Sequence, residues 1–242
     1  MQLDILYQDE FLVAVNKPAG LLVHRTYLAK GEEDAVVQRL RDQTGQWVFP
    51  VHRLDRGTSG VLVMAFSPDI ARGLAEQFSQ SQTEKIYHCL VRGFSSEKGE
   101  INYPLAKLNE QKGRARFKIT GTEKEAETLF KRLHRYQLPI PVSRYPEMRL
   151  SLLEVTPKQG RKHQIRRHFK HLLNPLVGDT CYGCRHINKA LRVEWNEALR
   201  LMLHASSLSF THPIGGHRLT IQAKFPDSLQ AVINKITPYQ ID

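Results

Sequence analysis

Apolar residues recur along this chain mostly in short alternating or continuous runs, the spacing that strands use, and only a few stretches carry the three-to-four-residue spacing of a helix. Strand-like runs fall at 11–15, 61–66, 85–91, 115–119, 128–133, 150–155, 202–208 and 219–223. The segment 34–41 gathers Ala35, Val36, Val37 and Leu40 on one side, 70–78 repeats apolar residues at 70, 71, 74, 75 and 78, and 226–236 reads as a closing helix. Strands often follow one another with no helix between them. That order predicts an α+β fold on a mixed, mostly antiparallel sheet.

The stretch 160–174 predicts one more helix. At about 100° per residue, Ile165, Phe169, Leu172 and Leu173 form an apolar stripe, and Asn174 before Pro175 marks its end. His163, Arg167, Lys170 and His171 lie across from the stripe, whereas Arg166 sits at its edge, where a side chain can turn inward. The helix is expected to offer cations on one face and to aim Arg166 at a buried partner.

Composition narrows the class of protein. The 242 residues, 41% of them hydrophobic, suffice for one substantial core or two small lobes. No repeat, low-complexity segment or long linker divides them, so a single catalytic unit is the simplest organisation. No apolar run reaches the roughly 18 residues that span a bilayer, and the start, MQLDILYQDEF, carries acids where a secretory signal needs a basic flank. Cys89, Cys181 and Cys184 are an odd number in a chain too long to need disulfide staples. A cytoplasmic protein that does not enter a membrane is expected. Lys and Arg outnumber Asp and Glu 35 to 24, and the net charge of +11 favours a polyanion through counterion release.

The chemistry concentrates in His52-Arg53-Leu54-Asp55-Arg56-Gly57-Thr58-Ser59-Gly60, which runs into the apolar strand at 61. A loop at the mouth of a strand is where a sheet protein holds a reactive carboxylate. Neighbouring arginines favour the ionised form of Asp55, the form in which it can attack as a nucleophile. An Arg-Leu-Asp-Arg tetrapeptide alone fits an ordinary ion pair on a surface loop better.

In combination with other motifs the sequence resembles the RluA-type pseudouridine synthases. HRLDRGTSG is similar to their catalytic signature, and four further stretches agree in order and spacing: Asn16-Lys17-Pro18-Ala19-Gly20 with Val23-His24, Lys85-Ile86-Tyr87, Gly160-Arg161-Lys162-His163-Gln164-Ile165-Arg166, and Leu203-His204-Ala205. Within the family the likeness is greatest to a group that modifies the uridine at position 65 of tRNA, in the stem of the TΨC arm. It is carried by residues 5–10, Arg144-Tyr145-Pro146, 157–168 and Pro175-Leu176-Val177-Gly178-Asp179.

The resemblance implies the pseudouridine synthase fold, a bent sheet flanked by helices with Asp55 at the bottom of a basic cleft across it. Many relatives carry an N-terminal RNA-binding domain of the S4 type. The catalytic pattern here starts almost at Met1, so one catalytic domain over 1–242 is expected, working as a monomer without an obligatory protein partner.

Roles carry over by motif position. Asp55 is similar to the nucleophile that forms an adduct with the target nucleotide, with attack on base C6 or sugar C1′ both open. The glycosidic bond then breaks and a carbon-carbon bond forms. No cofactor is needed, because an isomerisation has no net redox change. Tyr87 matches the tyrosine that stacks on the flipped base and helps move the proton from C5. Arg166 matches the arginine that pairs with the catalytic acid, and Ile165 the apolar residue against the base pocket. Arg53 is similar to the arginine that displaces the target base. His52, Arg161, Lys162 and Arg167 complete the substrate-binding set.

Three other readings stay open: a ribosomal RNA enzyme of the same family, a non-catalytic RNA-binding protein, and, more distantly, a glycosidase, which needs a second carboxylate that this motif region lacks. Cys181, Cys184 and His186 have the start of a zinc spacing but no second cysteine pair to close a tetrahedral site, so no metal is expected.

Overall fold

The computed structural model describes residues 2–24, 34–110, 117–196 and 199–242. In chain order they form strands β1 (Asp4–Gln8) and β2 (Leu12–Lys17), helix α1 (Val36–Thr44), strands β3 (Phe49–Pro50) and β4 (Ser59–Ala65), and helix α2 (Pro68–Ser79). Six strands follow: β5 (Glu84–Arg92), β6 (Lys98–Asn102), β7 (Leu105–Glu110), β8 (Phe117–Lys124), β9 (Glu127–Leu138) and β10 (Met148–Pro157). Helices α3 (Gln164–His171) and α4 (Arg185–Trp195), strands β11 (Leu203–Thr211) and β12 (Arg218–Gln222), and helix α5 (Asp227–Ile236) complete the chain with a short turn of 3-10 helix. The pattern is the expected α+β one, and the expected strand 115–119 appears as β8, its first two positions lying outside the described residues.

The chain packs as two compact units, Met1–Ile86 with His204–Phe225, and Tyr87–Leu203 with Pro226–Asp242. In the first, β4 is buried along its whole length and β2 nearly so, which is why both read as continuous apolar runs. β2 pairs antiparallel with β1 and β4, and β12 with β11. β4 meets β11 in parallel, His204 opposite Ser59 and Ala205 opposite Gly60. Leu12, Val61, Val63, Leu74, Leu208, Phe210 and Ile221 form the core between this sheet and α2. α2 starts where the Ser67 hydroxyl accepts from the Ile70 amide at 3.3 Å, with Pro68 in its first turn.

The second unit is built on the antiparallel set β5, β10, β9 and β6, with β7 and β8 as a separate hairpin. Its core holds Val91, Phe130, Leu153, Val155, Ile165 and Phe169. α3 is shorter than its sequence pattern predicts. It ends at His171, Leu173 turns to φ 60°, and the Asn174 amide closes back on the Phe169 carbonyl at 2.9 Å. Leu172 and Leu173 therefore leave the helical wheel and stand exposed, which corrects their placement in the apolar stripe. α4 carried no expectation, because its stretch is mostly polar. Ile187 and Leu191, one turn apart, are the apolar residues it buries.

Candidate active site

Buried residues and backbone hydrogen bonds tie down the loop between β3 and β4. Leu54 and Thr58 are buried, the Thr58 amide donates to the Asp55 carbonyl at 3.0 Å, and the Asp55 side chain stays partly exposed between the exposed Arg53 and Arg56. Arg56 joins this loop to the Asn16–Gly20 motif. Its Nε donates to the Gly20 carbonyl at 2.9 Å, and its own carbonyl accepts from the Gly20 amide at 2.7 Å.

A buried ammonium locks the same junction. Lys17, at 0% exposure, donates to the carbonyls of Pro18 and Leu21 at 2.8 Å and of Arg56 at 3.2 Å. Three carbonyl dipoles replace the water that such a charge would otherwise lose.

The glycine and serine that end the motif serve β4. Gly60 sits at φ +115°, and a Cβ there would lie 2.1 Å from the Ala205 carbonyl oxygen, so only glycine permits the parallel contact with β11. His204 bridges the two strands. Its Nε2 faces the Ala223 carbonyl at 3.2 Å and must carry the proton, which leaves Nδ1 to accept from the Ser59 hydroxyl at 2.8 Å.

His52 belongs to the same packing. Its ring stacks on Phe78 with centroids 4.5 Å apart, and Nε2 accepts from the Val63 amide at 2.9 Å. Burial, with the Lys85 charge adding to it, lowers its pKa to about 3. The folded value lies below that of an unfolded histidine, about 6.5. Between those two values the unfolded chain binds more protons, so stability is complete above the upper one and declines as pH falls toward the lower. Thermal unfolding at pH 4.5 and 7.5 is expected to give a smaller difference in His52→Gln than in the parent. An undiminished difference would clear His52 of that sensitivity.

The second unit carries the other candidates. Tyr87 on β5 faces Val155 of β10 and packs, half-buried, against the core that contains Ile165. Arg166 is buried, as its wheel position predicts, and forks onto an acid: Nε donates to Asp179 Oδ2 at 2.7 Å and Nη2 to Oδ1 at 2.9 Å. Side-chain exposures of 9% and 0% put this bidentate pair out of water. Asp179 Oδ1 also accepts from the amides of Cys181 and Tyr182. Burial alone would raise its pKa, but the Arg166 hydrogen bond and charge and these two amides outweigh it and hold the carboxyl below its usual value.

Tyr182 lies 5.1 Å from the Arg166 guanidinium, and its hydroxyl meets His163 Nδ1 at 3.0 Å. Arg161 and Arg167 donate to the carbonyls of Glu125 and Ala106, and Lys162 is half-buried. His168 is fully buried between the Thr128 hydroxyl and the Tyr103 carbonyl.

The candidates thus divide, with His52, Arg53 and Asp55 in one unit and Tyr87, Arg161, Lys162, Ile165, Arg166 and Arg167 in the other. Sequence reasoning gave no role to Lys17, Asp179 or Tyr182. An acid straight after Gly178, whose φ is +76°, is the signal that could have drawn attention to Asp179. Among the described residues no group of three or more His, Cys, Asp or Glu side chains could hold a metal ion, and no helix is long and apolar enough to cross a membrane.

A model of the family described as RNA pseudouridylate synthase matches residues 11–171, which span the Asp55 loop, Tyr87 and Arg166. The chain belongs to that family. It is 47% identical over 235 residues to the tRNA pseudouridine synthase C of Haemophilus ducreyi, covering 97% of this chain and 96% of the relative. It is 46% identical to the protein of that name from Vibrio cholerae, over 96% and 95% of the two chains. Among solved structures it resembles human RNA pseudouridylate synthase domain containing 4, with a TM-score of 0.72 at 23% identity over 97% of this chain and 93% of that one. Human RNA pseudouridylate synthase domain containing 1 gives 0.72 at 25%, over 95% and 87%. These likenesses bear out the pseudouridine synthase fold expected from the motifs.

Proposed function

We propose that this protein isomerises a uridine of tRNA to pseudouridine, and that the uridine is the one at position 65 in the stem of the TΨC arm. The observation that carries the reading is the Asp55 loop: a carboxylate kept partly exposed between two arginines, on a backbone clamped by Lys17 and Arg56, in a chain of this family. A rigid loop suits a nucleophile, because holding the attacking group in place removes part of the entropic barrier.

In this reading residues 1–242 act as one catalytic domain, as a monomer in the cytoplasm and without a cofactor. The target base leaves its stem, at a cost of a few kcal/mol that the arginines, Arg53 among them, offset. Asp55 forms a covalent adduct at base C6 or sugar C1′, the N1–C1′ bond breaks, the base turns, C5 bonds to C1′, and the bond to Asp55 breaks to return the carboxylate. The C5 proton then departs, the Tyr87 hydroxyl helping to move it, and N1 takes up a proton. Arg166, held by Asp179, supplies positive charge to the reacting acid. His52, Ile165, Arg161, Lys162 and Arg167 line and hold the substrate.

Mapping pseudouridine in total RNA from cells with and without the gene tests the proposal. The expected result is loss of one signal in the TΨC stem of tRNA. Loss confined to ribosomal RNA would move the substrate, and no loss would leave an RNA-binding protein.

A further inference from the structure

A groove of about 570 Å³ opens in the second unit, lined by the end of β5, the 142–149 segment and the start of α4, and no role assigned above uses it. Val142, Met148 and Ile187 give it an apolar floor, and Arg92, Tyr145 and Arg149 stand on its lining. Its size is that of sites that enclose an organic ring system.

The rim is cationic around an exposed aromatic ring. Tyr145 is 57% exposed, and the Arg144 guanidinium donates to its hydroxyl at 3.1 Å. That bond and the charges of Arg144, Arg92 and Arg149 lower the phenol pKa. Arg149 also lies 5.2 Å from the Phe94 ring, which fixes its direction. Among the described residues of the lining, Glu147 is the only carboxylate, and it accepts from Gln137 Nε2 at 2.5 Å.

An apolar hollow, an exposed aromatic face and a cluster of guanidiniums together match one kind of occupant. An unpaired base stacks on aromatic rings and enters apolar slots, while its flanking phosphates meet arginines. A paired base is held inside its helix and cannot enter, and an apolar peptide carries no anion for the guanidiniums, of which Arg92 also donates to the Leu173 carbonyl at 2.9 Å.

We propose that this groove binds an unpaired nucleotide of the substrate RNA, its base against Tyr145 and its flanking phosphates on Arg92 and Arg149. The occupant follows from the reading of the protein as an RNA-modifying enzyme, and the site is separate from the residues assigned to the reaction.

Cys184 on the same lining is a built-in reporter. Burial would raise its thiol pKa, but the Ile187 amide, the Arg92 guanidinium and the His186 amide outweigh it and lower the value, which favours the thiolate that alkylating reagents attack. Its alkylation by iodoacetamide, separated from that of Cys181 by tandem mass spectrometry, is measured with and without an unmodified tRNA transcript. The affinity of Tyr145→Ala and Arg149→Ala for that transcript is measured across a salt series.

The tRNA is expected to slow Cys184 alkylation about fivefold or more at saturation. Tyr145→Ala is expected to weaken binding about tenfold. Arg149→Ala should reduce the slope of log affinity against log salt by about 1. Unchanged alkylation with parental affinity and slope in both variants overturns the inference, even where the parent forms pseudouridine. Protected Cys184 and weakened variants in a protein that forms no pseudouridine would uphold the groove and overturn the catalytic reading instead.

Discussion

Asp55→Ala is expected to abolish pseudouridine formation while leaving tRNA affinity nearly unchanged. Removal of a catalytic nucleophile costs roughly 10⁴-fold or more in rate, because no other group completes the covalent step. Binding is a different matter: one carboxylate among exposed arginines contributes nothing favourable to phosphate contacts, and its loss leaves the surrounding cations in place. The fold should also tolerate the change. Leu54 and Thr58 anchor the loop, and Lys17 and Arg56 hold its backbone through carbonyls. Single-turnover assays on a tRNA transcript, with binding measured in parallel, separate the two effects. Conversion at the parental rate would remove Asp55 from the mechanism.

The second large effect is expected at Asp179. Asp179→Ala leaves the Arg166 guanidinium buried without the carboxylate that accepts two of its hydrogen bonds, and breaking such a buried pair costs about 3–5 kcal/mol. It also strips the partner from the Cys181 and Tyr182 amides, so the turn before α4 loosens with the arginine. Asp179→Asn keeps an oxygen acceptor and is expected to lose less stability while still lowering kcat. Denaturant titrations of both variants, with kcat and KM for tRNA, check this ordering. A stable, fully active Asp179→Ala would mean that Arg166 needs no carboxylate at this position.

These outcomes bear on what a sequence shows and what it conceals. The Asp55 loop and the strand after it were readable because the features that place them are local: a Gly- and Ser-containing turn and an apolar run. The inward turn of Arg166 was readable from helical spacing alone. Its pairing with Asp179 was not, since Asp179 is 13 residues on and lies on a loop with no periodicity to follow. Lys17 illustrates the same limit. As a letter it is a surface cation, and only the convergence of carbonyls from residues 18, 21 and 56 makes a buried position tolerable.

The misreadings have similar causes. Leu172 and Leu173 fit the stripe until the backbone at 173 turned left-handed, a change that hydropathy does not register. β1 and β6 mix charged and apolar residues as exposed edge strands do, so their alternation was too weak to see.

The parallel contact between β4 and β11 has a consequence for the protein's birth. Ser59 and His204 are partners across 145 residues of sequence, and the core around Val63 is completed by Leu208, Phe210 and Ile221. A ribosome adding about 5–20 residues per second needs roughly 7–30 s to deliver those partners after β4 has emerged. For that interval β4, buried along its whole length in the finished fold, has no completed sheet, so its unit cannot finish folding before those partners emerge. Chaperone demand during synthesis should therefore peak early and end only when the last fifth of the chain arrives.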